Sequence, residues 1–261
     1  MSGFSADWLA LREPADAAAR SESVVAHVLG PRFVGRPFQG RLLDLGGGTG
    51  ANIRYLSARL PTPQHWTIVD DDADLLACAP IGVVRRRADL NHVVEDDDLF
   101  RECRLVTASA LLDLVSDRWL MRLIDRCREA RAAVLFVLTY DGRVVCTPAE
   151  LEDDDVTGLV NEHQRRDKGF GAALGPAAAA RAVELLTAAG YHVKQERSDW
   201  HLGPADGELQ RQAIDGWTLA ASEMKLERAA VFADWRKRRL EHINAGRSRI
   251  IVGHVDIGGI R

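Results

Sequence analysis

The sequence predicts an α/β protein: a doubly wound sheet of seven mostly parallel strands, with helices on both faces and helical cap insertions. Three observations carry this expectation. Short β-branched runs alternate with helical segments through the first half of the chain, the rhythm of βαβ units. One such run, "RLLDLGGGTGANIRYLS" (41–57), passes from strand to helix through a glycine-rich turn. "AAVLFVLTY" (132–140) is the most continuous apolar run in the chain, as a strand covered on both faces at the centre of a sheet requires.

The elements follow in order. "DWLALREP" (7–14) reads as a short helix, and a second helix spans Ala15 to Leu29 with Pro14 at its first turn. "RLLDLG" is a strand, and Ala51 to Leu60 a helix ended by Pro61. "HWTIVD" is a second strand, "ADLLACAP" a short helix stopped by Pro80, and "IGVVRRRADL" carries a third strand. "CRLVTAS" is a fourth, followed by the helix "SDRWLMRLIDRCREA" with Ser116 as its N-cap. After the central run comes a polar, glycine-punctuated insertion. A helix from Pro176 to Ala189 ends at Gly190, and the strand "YHVKQERS" follows. Helical sequence then runs from about Asp206 to Asn244, readable as two helices, and "SRIIVGHVDI" closes the sheet. The division expected is an N-terminal helical cap over 1–40 and a main domain over 41–261, with insertions at about 144–175 and 203–246.

Composition narrows the partners. Of 261 residues, 46% are hydrophobic and 28% charged, and 34 bases against 38 acids leave a net charge of −4. The charges are interspersed, so there is no basic footprint for nucleic acid. No segment has the apolar length of a membrane span. The opening stretch has early acids and no unbroken apolar core, so no secretory signal is expected. Cys78, Cys103, Cys127 and Cys146 stand apart without a CxxC pair and are expected as free thiols of a cytoplasmic protein. The eight histidines show no metal-ligand spacing, so no metal is expected.

The glycine turn fits two ligands. Gly46, Gly48 and Ala51 satisfy G-x-G-x-x-G/A, the dinucleotide pattern, while Asp44, Gly46, Gly48 and Gly50 satisfy D-x-G-x-G-x-G. In both cases glycine lets a ligand approach the backbone and the helix start offers N–H groups. Asp44 separates them: a carboxylate is repelled by a pyrophosphate but suits a ligand carrying an ammonium or sulfonium group.

In these motifs the sequence resembles the class I S-adenosylmethionine-dependent methyltransferases. "LLDLGGGTGAN" looks like their first motif, "WTIVDDDADLL" like their second, "RRADL" like the adenine-contacting motif and "LVTASALLDLVS" like the segment around the fourth strand. The resemblance covers 41–143 well and the remainder in strand pattern. It implies a Rossmann-like fold and S-adenosyl-L-methionine as cofactor. It further implies that Gly46, Gly48 and Gly50 pass under the cofactor, with Asp44 near its ammonium or its ordered waters. Asp70 would accept from the ribose hydroxyls, Asp71 would sit beside the adenine, Asp89 would accept from the adenine amino group and Leu90 would touch the ring. Ser109 and Leu111 would lie near the methionine portion. Plainer readings stand beside these: Asp70 to Asp72 as a solvated acidic turn, and Asp89 as a helix cap.

The acceptor is less legible. "SALLDL" stands where nucleobase amino-methylating members carry Asn/Asp-Pro-Pro-aromatic, which argues against nucleic acid. A small molecule methylated on oxygen or nitrogen is expected, with a protein methyltransferase, an NAD-dependent oxidoreductase and a non-catalytic scaffold as alternatives. His163 is the candidate base and Tyr140, at the end of the central strand, a second candidate at the site. Arg165, Arg166 and Lys168 are candidate contacts for an anionic acceptor. Asp113 has a positional claim, against that of a helix-capping acid. Trp8, Arg12 and Arg20 suit a helix covering the cofactor, with an arginine on its carboxylate. Trp200, Trp217 and Trp235 have three readings, a cap on the substrate, a dimer seam or core packing, with core packing the default; a homodimer is left open.

Overall fold

The computed structural model describes residues 5–33 and 40–261. Of the cap expected over 1–40, residues 1–4 and 34–39 lie outside the described residues.

Two helices open the chain, α1 (Ala6–Ala19) and α2 (Glu22–Phe33). The break between them differs from the expected one: α1 runs through Pro14, and the chain turns at Arg20 and Ser21. A proline forgoes one helical hydrogen bond, whereas Ser21 gains two contacts by leaving the helix. Its N–H donates to the buried Asp256 carboxylate at 2.9 Å, and its hydroxyl accepts the Val24 N–H at 3.2 Å.

The expected alternation follows: β1 (Arg41–Leu45), α3 (Ala51–Ser57), β2 (Trp66–Asp70), α4 (Ala73–Ala77), β3 (Val84–Arg87), α5 (Leu90–Val93), α6 (Asp97–Phe100), β4 (Cys103–Ser109), α7 (Asp117–Ala130) and β5 (Ala133–Thr147). In α7 the residues Trp119, Leu120, Leu123, Ile124 and Cys127 are buried, one face at helical spacing. Ser116 Oγ accepts the Trp119 N–H at 3.3 Å, as an N-cap should, and Arg131 ends the helix at a left-handed φ of 54°. β5 is buried from Ala133 to Tyr140, with apolar clusters on both of its faces. Each large side chain removed from water there contributes about 1.5–3 kcal/mol, which is why this run takes the sheet's interior.

The second half adds α8 (Asp153–Gln164), α9 (Ala178–Ala188), β6 (His192–Arg197), β7 (Trp200–Leu202), α10 (Gly207–Met224), α11 (Ala229–Asn244) and β8 (Arg249–Ile260). The sheet runs β3-β2-β1-β4-β5-β8-β6, the expected seven strands, and β7 is an eighth that pairs with β8. The first five are parallel; β8 lies antiparallel between β5 and β6. Strand order reverses between β1 and β4, and an open sheet has its ligand crevice at such a point.

The insertion expected from 144 begins later, because β5 continues to Thr147 opposite Arg249. A bulge absorbs "DGR": Asp141 Oδ1 accepts the Arg143 N–H at 3.0 Å, Gly142 takes φ 90°, and pairing resumes at Val144 opposite Val252. Beyond it, α8, α10 and α11 close a third apolar cluster that includes Val156, Leu159, Ile214, Phe232 and Trp235. Trp235 is core, its Nε1 donating to Asp153 Oδ1 at 2.8 Å. Cys103, Cys127 and Cys146 are buried free thiols and Cys78 is an exposed one. Among the described residues no helix is long and apolar enough to cross a membrane.

Candidate active site

A cavity of about 980 Å³ opens at the carboxyl ends of β1 and β4, over the reversal of strand order. Its floor at one end is the glycine turn. Gly46 and Gly48 adopt φ of 62° and 52°, where a side chain is strained. Gly47 is confined by space instead: a Cβ there would overlap Ile68 and come within 2.8 Å of Asp44 Oδ2. From above, Leu9 of α1 lies against the turn, its Cδ1 2.9 Å from where a Gly48 Cβ would stand.

Asp70, the last residue of β2, binds this turn to the next one. Its Oδ2 accepts the Gly48 N–H at 2.8 Å and its Oδ1 accepts the Asp72 N–H at 3.0 Å. Burial raises its pKa, against the lowering effect of those two N–H groups. A carboxylate oxygen has two lone pairs, so each can still receive a ligand hydroxyl. Asp71, Asp89, Leu90, Ser109 and Leu111 line the same cavity beside Gly46, Gly48 and Asp70. Asp89 also caps α5, accepting the Asn91 N–H at 2.9 Å, so the plainer reading of that residue holds together with its place in the cavity.

Four of the expected site residues lie elsewhere. Asp44 is fully buried behind the turn and does not line the cavity. Its Oδ1 accepts from Asn52 Nδ2 at 2.7 Å and Thr107 Oγ1 at 2.6 Å, and burial pushes its carboxyl up to about 6. Gly50 is the left-handed residue that starts α3 and packs toward Pro80 rather than the cavity. Arg165 and Arg166 close the end of α8 on the exposed surface and are not part of the lining. Arg20 is also diverted: it donates to Asn52 Oδ1 at 3.0 Å, stands 3.8 Å from Asp256 and lies over the Tyr55 ring.

His163, Lys168 and Tyr140 do reach the cavity, each with its polar atoms engaged. Lys168 Nζ is 3.2 Å from His163 Nδ1, and His163 Nε2 is 3.1 Å from Glu223 Oε2, so neither ring nitrogen stands open. Burial and then the Lys168 charge lower the His163 pKa. The Tyr140 hydroxyl donates to Asn161 Oδ1 at 2.9 Å, and burial raises its pKa well beyond the usual phenol range. Neither is set up as a base.

The far end of the cavity holds groups that sequence reasoning passed over or ranked low. His254 of β8 pairs in register with Tyr140 of β5, and its ring lies 6.3 Å from the Tyr140 ring and 5.2 Å from the Trp200 ring, centre to centre. Burial and then the charge of Arg12 push its imidazole down to about 3, so it is neutral at physiological pH. Asp113, just past β4, is buried at the same end, and burial pushes its carboxyl up to about 6. Asp113 Oδ1, His254 Nδ1 and Trp8 Nε1 meet no hydrogen-bond partner among the described residues. Of the ten such side-chain atoms among the described residues, these three are the ones that belong to residues lining the cavity. Arg12, from α1, is held by Asp16 at 2.9 Å and lies 4.9 Å over the Trp200 ring. For His254 the only usable signal was its register opposite Tyr140, which needs the long-range pairing of β5 with β8.

This sheet order and glycine crevice are those of the class I S-adenosylmethionine-dependent methyltransferase fold. Among solved structures, the chain is similar to a cyclopropane-fatty-acyl-phospholipid synthase-like protein from Lactobacillus casei, at 13% identity over 99% of this chain and 95% of that one, with a TM-score of 0.55. A cyclopropane synthase from Mycobacterium tuberculosis is matched at 14% identity over 98% of this chain and 94% of that one, with a TM-score of 0.49. A phosphoethanolamine N-methyltransferase from Haemonchus contortus is matched at 16% identity over 92% of this chain, with a TM-score of 0.45; the chain spans about half of that protein's length, 51%. No protein-family model and no curated protein matches the chain in sequence.

Proposed function

We propose that the protein is an S-adenosylmethionine-dependent methyltransferase acting on a small molecule through nitrogen or oxygen. The observation that carries this reading is one continuous cavity with two chemically different ends. One end has the glycine turn and a terminal β2 acid joined by a hydrogen bond; the other has aromatic walls and unpartnered polar atoms. At about 980 Å³ it stands at the upper end of the roughly 300–1,000 Å³ of small-molecule sites. That leaves space for a cofactor and an acceptor together.

The residues present fit the cofactor. The turn offers a cradle that side chains would narrow: a Cβ at Gly46 would stand 3.4 Å from Leu111 and 3.5 Å from Leu90, and one at Gly48 2.9 Å from Leu9, all three residues of the lining. Asp70 would receive the ribose hydroxyls, Asp71, Asp89 and Leu90 would border the adenine, and Ser109 and Leu111 the methionine portion. Bound there, the sulfonium supplies an electrophilic methyl group. The protein's part is to align the acceptor and exclude water, which α1, α8 and α10 do as a cover over the crevice. We read 1–40 and the helical insertions as that cover and 41–261 as the methyltransferase domain.

Calorimetric titration with S-adenosylhomocysteine, with NAD and NADP in parallel, tests the reading. Micromolar binding of the homocysteine compound alone is the expected result. Binding of a nicotinamide nucleotide in its place overturns it.

A further inference from the structure

The far end of the cavity names more than a cover. Among the described residues four carboxylates are buried: Asp70 at the glycine turn and, deeper, Asp44, Asp113 and Asp256. Asp256 accepts the N–H groups of Ser21 and Leu138 and stands 3.8 Å from Arg20. Asp44 is met at Oδ1 by Asn52 and Thr107 behind the glycine turn, with its Oδ2 unpartnered but away from the cavity. Asp113 is the one of the three that lines the cavity. Its carboxylate is met by its own backbone N–H and that of Tyr140, its Oδ1 meets no partner among the described residues, and Arg12, the cation that acts on it, is already bound to Asp16 through two hydrogen bonds.

A buried carboxylate without a counter-charge costs several kcal/mol, and folded proteins retain one where a ligand completes it. The walls around it say what kind. Trp8, Tyr140, Trp200, Trp217 and Phe170 give broad apolar and π surface, which favours flat bodies and cations. Lys168, the other cation lining this part of the cavity, shares its ammonium with His163 Nδ1 and has the Glu223 carboxylate acting on it, so its charge is already answered by an acid.

We infer that the acceptor is an amine carried on a flat apolar body, its nitrogen received by Asp113 Oδ1 at the aromatic end of the cavity. This rests on the methyltransferase reading and names its substrate class. A protonated amine has no lone pair to donate. Passing one N–H proton to Asp113 Oδ1 leaves a free amine and a neutral carboxylic acid, with charge conserved. Asp113 therefore both binds the ammonium and takes its proton, while Tyr140, whose hydroxyl is committed to Asn161, supplies a wall.

The test uses three ligands of nearly one shape on protein saturated with S-adenosylhomocysteine: tryptamine, tryptophol and indole-3-propionate. Their affinities are measured by calorimetry in mildly alkaline buffer, for the native protein and for Asp113→Asn. Tryptamine should bind at least tenfold more tightly than the alcohol or the acid, and that preference should vanish in Asp113→Asn while S-adenosylhomocysteine binds as before. Equal or tighter binding of the carboxylate, a preference that survives the substitution, or no heat from tryptamine at millimolar concentration each overturns the assignment. If S-adenosylhomocysteine itself fails to bind, the methyltransferase reading falls first and this inference with it.

Discussion

Replacing Asp113 by asparagine should make the unliganded protein more stable. The carboxyl is held near 6 in the folded chain against 3.8 for an ordinary aspartate, chiefly by burial. Ionising it in place therefore costs about 3 kcal/mol relative to the unfolded chain. Between those two values the folded protein binds the proton more readily than the unfolded one. Stability accordingly falls as pH rises from about 4 to about 6, and stays low above that. Asparagine keeps the shape and can accept the Tyr140 N–H that now meets the carboxylate. It carries no charge to bury. The net gain at neutral pH should be roughly 1–3 kcal/mol, once imperfect hydrogen bonding is allowed for. Urea unfolding of both proteins between about pH 4 and pH 8 reads it directly. Asp44, also held near 6, titrates in the same window but is common to both proteins and drops out of the difference. A variant less stable than the native chain at pH 7, or a difference that does not change with pH, would refute the reasoning. A group that costs the fold this much and is nonetheless kept belongs to the site's work rather than to its scaffold.

Three further outcomes follow from the same geometry. Asp70→Asn sets an amide N–H against one of the two backbone donors that the carboxylate now accepts; S-adenosylhomocysteine affinity should drop at least tenfold by calorimetry, and undiminished binding would remove the ribose assignment. Asp256→Ala strips the acceptor from Ser21 N and Leu138 N and leaves Arg20 buried without its carboxylate, so urea unfolding should show a loss of about 3–5 kcal/mol. Replacing Arg165 and Arg166 together by alanine should change stability by no more than about 0.5 kcal/mol and leave cofactor binding intact, because both are exposed and outside the cavity; a measurable loss of cofactor affinity would count against that placement.

What the sequence made legible was local. A strand that ends in glycines, an N-cap such as Ser116 and a continuous apolar run each carry their reason within a few residues, so the sheet's elements and the glycine-turn end of the crevice could be read off directly. Asp44 shows the limit of reasoning by position. Its place at the end of β1 was legible, but whether its carboxylate faces the ligand or turns back to Asn52 and Thr107 depends on β4, far along the chain. Arg165 and Arg166 stand in a segment rich in cations, yet the turn that follows α8 leaves them exposed and brings Lys168 to the cavity. His254 has no motif around it, and only the pairing of β8 with β5 brings it to Tyr140. The aromatic end of the cavity is assembled from α1, β5, α8, α10 and β8, so no single stretch of sequence contains it.

The carboxylate of Asp256 holds two distant backbone points at once: Ser21, between α1 and α2, and Leu138 of β5, where the register with β8 shifts between Phe136 and Thr139. Beyond Ser21, α2 is packed on the sheet with Val24 and Val28 against Gly258, while α1 reaches over the cavity with Trp8, Leu9 and Arg12. Asp256 lies outside the cavity's lining, yet it fixes the point at which α1 leaves the sheet, so the placement of Trp8, Leu9 and Arg12 over the crevice is anchored by a carboxylate that never faces it.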